Sequence, residues 1–127
     1  MPEVDTEHLN ARSVPWETIV VNREHWLLIH QYEICPGYNH LKASAGFRIP
    51  SGYPDTQLDM VYFCPHLARI DGKHIGRLTE FSLDGKSWQQ WSRHRTPANP
   101  WRVGVDDLST HLLLVDDWLE REFKIRP

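Results

Sequence analysis

Short runs of β-branched and aromatic residues, separated by turn-forming residues, occupy the first half of the chain, and one apolar stripe at helical spacing closes it. Residues 18–21 (Thr-Ile-Val-Val) and 26–34 (Trp-Leu-Leu-Ile-His-Gln-Tyr-Glu-Ile) read as strands, with Asn22, Arg23 and Glu24 turning between them. Cys35-Pro36-Gly37-Tyr38-Asn39 marks a second turn. Residues 41–49 read as a third strand, with partial alternation at Leu41, Ala43, Ala45, Phe47 and Ile49. A break at residues 50–55 leads to a fourth strand, residues 58–63. It stops before Pro65, which cannot donate to a sheet ladder. Downstream the pattern loosens. Asp71-Gly72 and Asp84-Gly85 are turn dipeptides, and Thr96-Pro97-Ala98-Asn99-Pro100 reads as a loop. From about residue 106 to 124, Leu108, Leu112, Val115, Leu119 and Phe123 recur at spacings of 4, 3, 4 and 4 residues. That stripe predicts an amphipathic helix, capped by Asp106 or Asp107 and complemented by Lys124 and Arg126 at its far end. Residues 1–13 are polar and read as a short helix or a loose lead-in. The expected architecture is one α+β domain spanning residues 1–127: a four-stranded antiparallel meander, a long irregular segment and a C-terminal packing helix.

Composition narrows the function classes by exclusion. A length of 127 residues leaves room for one hydrophobic core. With Lys+Arg 14 against Asp+Glu 17, the net charge is −3, so no overall positive field draws the chain to nucleic acid or to an anionic membrane. No apolar run approaches the roughly 20 residues of a bilayer span. The first residues lack the basic and apolar regions of a signal peptide. Cys35 and Cys64 are the only cysteines and make no disulfide framework, so the expectation is a reduced, cytoplasmic protein. The histidines show no paired ligand spacing such as His-x-x-x-His, and no glycine-rich phosphate motif occurs. No metal and no cofactor is therefore expected of this chain. His111 falls near the apolar stripe and reads as a satisfied core histidine.

The candidate chemistry lies in Trp88-Gln89-Gln90-Trp91-Ser92-Arg93-His94-Arg95. Buried indoles at Trp88 and Trp91 would pin this segment to the body of the protein and pre-position the polar groups that follow. If it is extended, Ser92 and His94 share one face with Trp88, while Trp91 and Arg93 point the other way. A hydroxyl and an imidazole two residues apart on one face is the minimal layout of a base-activated nucleophile. The alternative is a turn in which Ser92 and His94 satisfy backbone groups.

The order of several motifs resembles the ubiquitin-conjugating-enzyme superfamily, and more narrowly its small prokaryotic family E. The residues that carry the resemblance are Pro36-Gly37-Tyr38-Asn39, Ile49-Pro50-x-Gly52-Tyr53-Pro54-Asp55, Leu58-Asp59-Met60, Trp88-Gln89-x-Trp91-Ser92-Arg93-His94 and Trp101-x-x-Gly104-x-Asp106. Each piece is weak alone; five in order, over roughly residues 14 to 124, are specific. Tyr53, Pro54, Trp88, Trp91 and Trp101 are its structural markers. The resemblance implies a UBC-like fold and a transferase-type, conjugating-enzyme-like carrier. Its implied partners are a ubiquitin-like protein, often with several such domains in tandem, an activating-enzyme-like adenylyltransferase, and a JAB-type or other isopeptidase. It also points to a bacterial setting and to a pathway of phage defence.

Ordinary members carry a His-Pro-Asn motif after the fourth strand and, several residues later, the cysteine that accepts ubiquitin as a thioester. This chain has Cys64-Pro65-His66 at that place and no cysteine between Asp71 and Trp88. Three chemistries remain open. Ser92 could accept the ubiquitin-like C-terminus as an oxyester, with His94 as base and Arg93 or Arg95 stabilising the oxyanion. Cys64 could be a relocated thioester nucleophile assisted by His66, against which stands its place at the end of an apolar strand. Or the domain binds and scaffolds without covalent chemistry, with Arg93 paired to Asp106 or Asp107. Asp59 is a strand-entry polar group or a partner for Arg93.

Overall fold

A computed structural model describes residues 1–127. Its elements in order are helix α1 (Glu3–Ala11), strands β1 (Trp16–Val21), β2 (Glu24–Glu33), β3 (Lys42–Ile49), β4 (Val61–Cys64), β5 (Leu78–Leu83) and β6 (Lys86–Trp91), and helix α2 (Leu108–Ile125). The sheet is antiparallel throughout, with strand order β1-β2-β3-β4-β6-β5. The α+β class is therefore as expected, and the first four strands follow one another across the sheet.

The strand count of four is corrected to six. The supposedly irregular stretch after β4 contains a hairpin, and its second strand, β6, pairs with β4. The Asp84-Gly85 dipeptide makes that hairpin: both residues have positive φ, 51° and 74°, and Leu83 pairs directly with Lys86. Positive φ at both central positions is the two-residue turn whose twist matches a β-ribbon. Asn22 and Arg23 do the same between β1 and β2, with φ of 51° and 66°. β5 lies at the sheet edge and only Leu83 is fully buried, so its residues carry almost no apolar alternation to read.

Two apolar clusters use the two faces of the sheet. Leu27 and Ile29 of β2 join Phe47, Phe63, Trp91, Leu9 of α1 and the stripe of α2 in the main core. Trp26 and Leu28 point oppositely and pack with Tyr62, Leu83 and Trp88. This explains why residues 26–29 form an unbroken buried run rather than an alternating one. Trp88 and Trp91, three apart on β6, fall on opposite faces, each almost fully buried. The pinning expected of the two indoles is observed.

α2 begins at Asp107, whose carboxylate accepts from the Thr110 N–H at 3.2 Å, while the Thr110 hydroxyl accepts from the Asp107 N–H at 3.0 Å. Asp106 instead closes the preceding loop, accepting from the Arg102 N–H at 2.7 Å. The Tyr53-Pro54 turn is tied to α1 and to the loop before α2. The Tyr53 hydroxyl donates to Asp5 of α1, and the Trp101 indole N–H donates to the Pro54 carbonyl at 3.0 Å. No helix is long and apolar enough to cross a membrane.

Candidate functional site

β6 delivers the signature to the open end of the sheet. Trp91 is sealed in the main core, its indole N–H donating to Gln89 Oε1 at 2.9 Å. That glutamine amide is itself anchored by two bonds to the Leu67 backbone, each 2.9 Å. The chain thus leaves the sheet at Ser92 from a fixed position. The Ser92 N–H still donates to the Arg77 carbonyl at 3.1 Å, but pairing with β4 ends at Trp91.

Ser92 and His94 are not hydrogen-bonded to one another. The Ser92 hydroxyl oxygen accepts from Gln90 Nε2 at 3.3 Å, the same amide that reaches the Met60 sulfur at 3.8 Å. Ser92 therefore shares a side of the segment with Gln90 and Trp88, as alternation requires. His94 turns to Asp59, whose two carboxylate oxygens lie 3.0 and 3.1 Å from Nδ1. The imidazole is 55% exposed, and its other nitrogen, Nε2, makes no hydrogen bond within the protein. In the neutral ring, a nitrogen held by a carboxylate carries the hydrogen and Nε2 is the acceptor, the arrangement of a general base oriented by a third group.

Arg93 goes elsewhere. Its guanidinium donates to Glu122 Oε1 at 2.9 Å and lies over the Trp91 ring at 4.9 Å. The expected partners, Asp106 or Asp107 in one reading and Asp59 in another, are both replaced: Asp59 holds His94, and Asp106 faces Arg95 at 3.8 Å and Arg102 at 3.5 Å. Glu122 was not singled out from the sequence. Its spacing on α2 put it beside the apolar stripe, and only the packing shows it buried at 3% exposure with two arginines on it.

The cysteines fit nucleophilic roles poorly. Cys64 ends β4 opposite Ser44 and packs beside the Trp26 and Trp88 cluster. His66, its proposed helper, is 3.0 Å from the Ser87 hydroxyl instead. For Cys35, burial pushes the thiol pKa up, and the nearby carboxylates of Glu120 and Asp116 push it further.

Beneath the segment, His111 is 1% exposed; its Nε2 lies 2.9 Å from the Met60 carbonyl, while Nδ1 is buried without a partner. It is a core histidine, but half satisfied rather than fully so. Burial lowers its pKa to about 4, so the ring is neutral at physiological pH and Nε2 carries the donated hydrogen.

A family model described as Prokaryotic E2 family E matches residues 1–122. No curated protein and no solved structure matches the chain.

Proposed function

The chain belongs to prokaryotic E2 family E, and from that membership we propose that it is the acyl carrier of a bacterial ubiquitin-like modification pathway, accepting the ubiquitin-like C-terminus on Ser92 as an oxyester. The observation that carries this reading is the Asp59–His94 pair, which orients an exposed imidazole with Nε2 free, two residues from a hydroxyl. Because the Ser92 oxygen accepts rather than donates its one bond from Gln90, its own proton remains available to a base. In the transfer step the Ser92 oxygen bonds to the C-terminal carbonyl carbon, the bond from that carbon to its leaving group breaks, and the serine proton passes to His94. The partners are those of such a pathway: a ubiquitin-like protein, an adenylyltransferase that activates it and an isopeptidase that reverses the modification, in a system that serves defence against phage.

The test is to incubate the protein with the activated ubiquitin-like protein and analyse intact masses before and after hydroxylamine. A hydroxylamine-sensitive adduct, lost in Ser92→Ala and slowed in His94→Ala, is the expected result. Undiminished transfer by Ser92→Ala would sink the oxyester. A second reading is favoured by the missing Ser92–His94 hydrogen bond and by the commitment of Arg93 to Glu122. In it the domain scaffolds the ubiquitin-like protein and its activating enzyme, and no residue acquires mass.

A further inference from the structure

A cleft of about 530 Å3 opens where the chain leaves β6 and passes the last turns of α2. Its wall carries five arginines, Arg77, Arg93, Arg95, Arg121 and Arg126, against one carboxylate, Glu122. In a chain of net charge −3 this concentration does not follow from composition. Nor does internal pairing consume it. Glu122 is shared, with Arg93 on one oxygen at 2.9 Å and Arg126 on the other at 3.2 Å. Arg121 pairs only with the exposed Asp117, at 3.1 Å, and such pairs contribute little and exchange freely. Arg77 has no carboxylate partner.

Arg95 is the second, independent observation. Its side chain is only 7% exposed and its guanidinium lies 5.0 Å from the centre of the Trp101 ring. Its Nη1 donates to Asn99 Oδ1 at 3.5 Å, the nearest carboxylate, Asp106 at 3.8 Å, is shared with Arg102, and Arg95 Nε is buried with no acceptor. Burying a charged group with a donor left unmade is costly. Such a donor set suits an anion brought by another molecule.

We infer that this cleft binds a phosphate monoester, and that it receives the AMP released when Ser92 takes the acyl group of a ubiquitin-like acyl-adenylate. Guanidinium forks match phosphate and carboxylate alike. Phosphate is favoured because a single carboxylate is already satisfied here by two arginines, as Glu122 shows, leaving Arg77, Arg95 and Arg121 for a larger, more highly charged group. Ser92 and His94 line the same cleft. Attack by the Ser92 oxygen on the mixed anhydride forms the ester carbon–oxygen bond. The bond from that carbon to the phosphate oxygen breaks, its electron pair leaves with AMP, and the serine proton passes to His94. This use of the phosphate rests on the carrier reading above; phosphate binding itself does not.

Calorimetric titration of the full chain at low ionic strength with AMP, adenosine, inorganic phosphate and a tetraglutamate peptide separates the sources. AMP is expected to bind and inorganic phosphate to compete with it, while adenosine gives no heat. Replacing two exposed side chains together, Arg77→Gln and Arg121→Gln, should weaken AMP at least tenfold without lowering the melting temperature, and Arg77→Lys with Arg121→Lys should keep part of the affinity. Unchanged AMP affinity in the folded Gln variant, or tetraglutamate binding more tightly than AMP, overturns the phosphate site. In a second arm, a ubiquitin-like C-terminal peptide is offered as its acyl-adenylate or as a thioester. Faster Ser92 acylation from the adenylate, lost in the Gln variant, supports the donor assignment, and equal rates from both donors overturn it. No acylation from either donor overturns Ser92 as acceptor, and with it the donor role, while the AMP titration still decides the cleft.

Discussion

At the scale of single residues, the oriented imidazole is built from parts far apart in sequence. His94 and Asp59 are separated by 35 positions, and their contact exists because antiparallel pairing of β4 with β6 carries residues 59 and 93 toward the same level. If His94 is the base for Ser92, His94→Ala should lower single-turnover acylation about 10²-fold or more. Asp59→Asn should fall between that variant and the native protein, since it removes orientation and leaves the imidazole; equal rates in all three would remove His94 from the chemistry. His111 makes a separate prediction about stability. Its folded pKa, lowered by burial to about 4, lies below the ordinary histidine value. Between pH 6.5 and 4 the unfolded chain therefore takes up a proton that the folded chain refuses, so stability falls as pH falls through that window, by about 3 kcal/mol in total. Urea midpoints measured at pH 7 and pH 4.5 should converge in His111→Gln relative to the native protein, by roughly 2 kcal/mol of the native loss. An identical acid dependence in both proteins would contradict it.

At the scale of elements, α2 was the most legible part of the chain, because five apolar residues at helical period state which face is buried. Its start could be narrowed only to two neighbouring aspartates. The cap proves to be Asp107, with Asp106 spent on the loop before it. Asp107→Ala should therefore lower stability by about 1 kcal/mol, read as a shift in the urea midpoint with an unchanged slope; no shift would show that the reciprocal Thr110 bond suffices. The β5–β6 hairpin was the least legible. Its turn dipeptide was visible, but an edge strand with one fully buried residue writes little apolar pattern into Leu78-Thr79-Glu80-Phe81-Ser82-Leu83.

At the scale of the whole molecule, α2 is joined to the sheet side by more than its apolar stripe. Tyr38 donates its hydroxyl proton to the Leu119 carbonyl at 2.6 Å, and Arg69 donates to the Glu122 carbonyl at 3.1 Å while lying 4.5 Å from the centre of the Phe123 ring. Gly37 makes this closure possible. Its φ is +110°, and a Cβ built there would sit 2.7 Å from Phe123 Cε1. Gly37→Ala combines backbone strain with displacement of that ring, and should cost about 1–3 kcal/mol, seen as a lower melting temperature and faster amide exchange in the last turns of α2. A native-like melting temperature would mean that the loop and Phe123 move aside freely.

The amino-acid order alone determined the elements whose burial is periodic, the opposite facing of Trp88 and Trp91, and a family resemblance carried by motifs in series. Each of these depends on residues close in the chain, where alternation or helical period leaves a direct trace. Tertiary structure decided the rest: six strands instead of four, Asp59 on His94, two arginines on a buried Glu122, and five arginines around one cleft. These charged and polar partners come from segments tens of residues apart. Their meeting is set by strand register and helix docking, and neither leaves a periodic mark on the polar side chains it brings together.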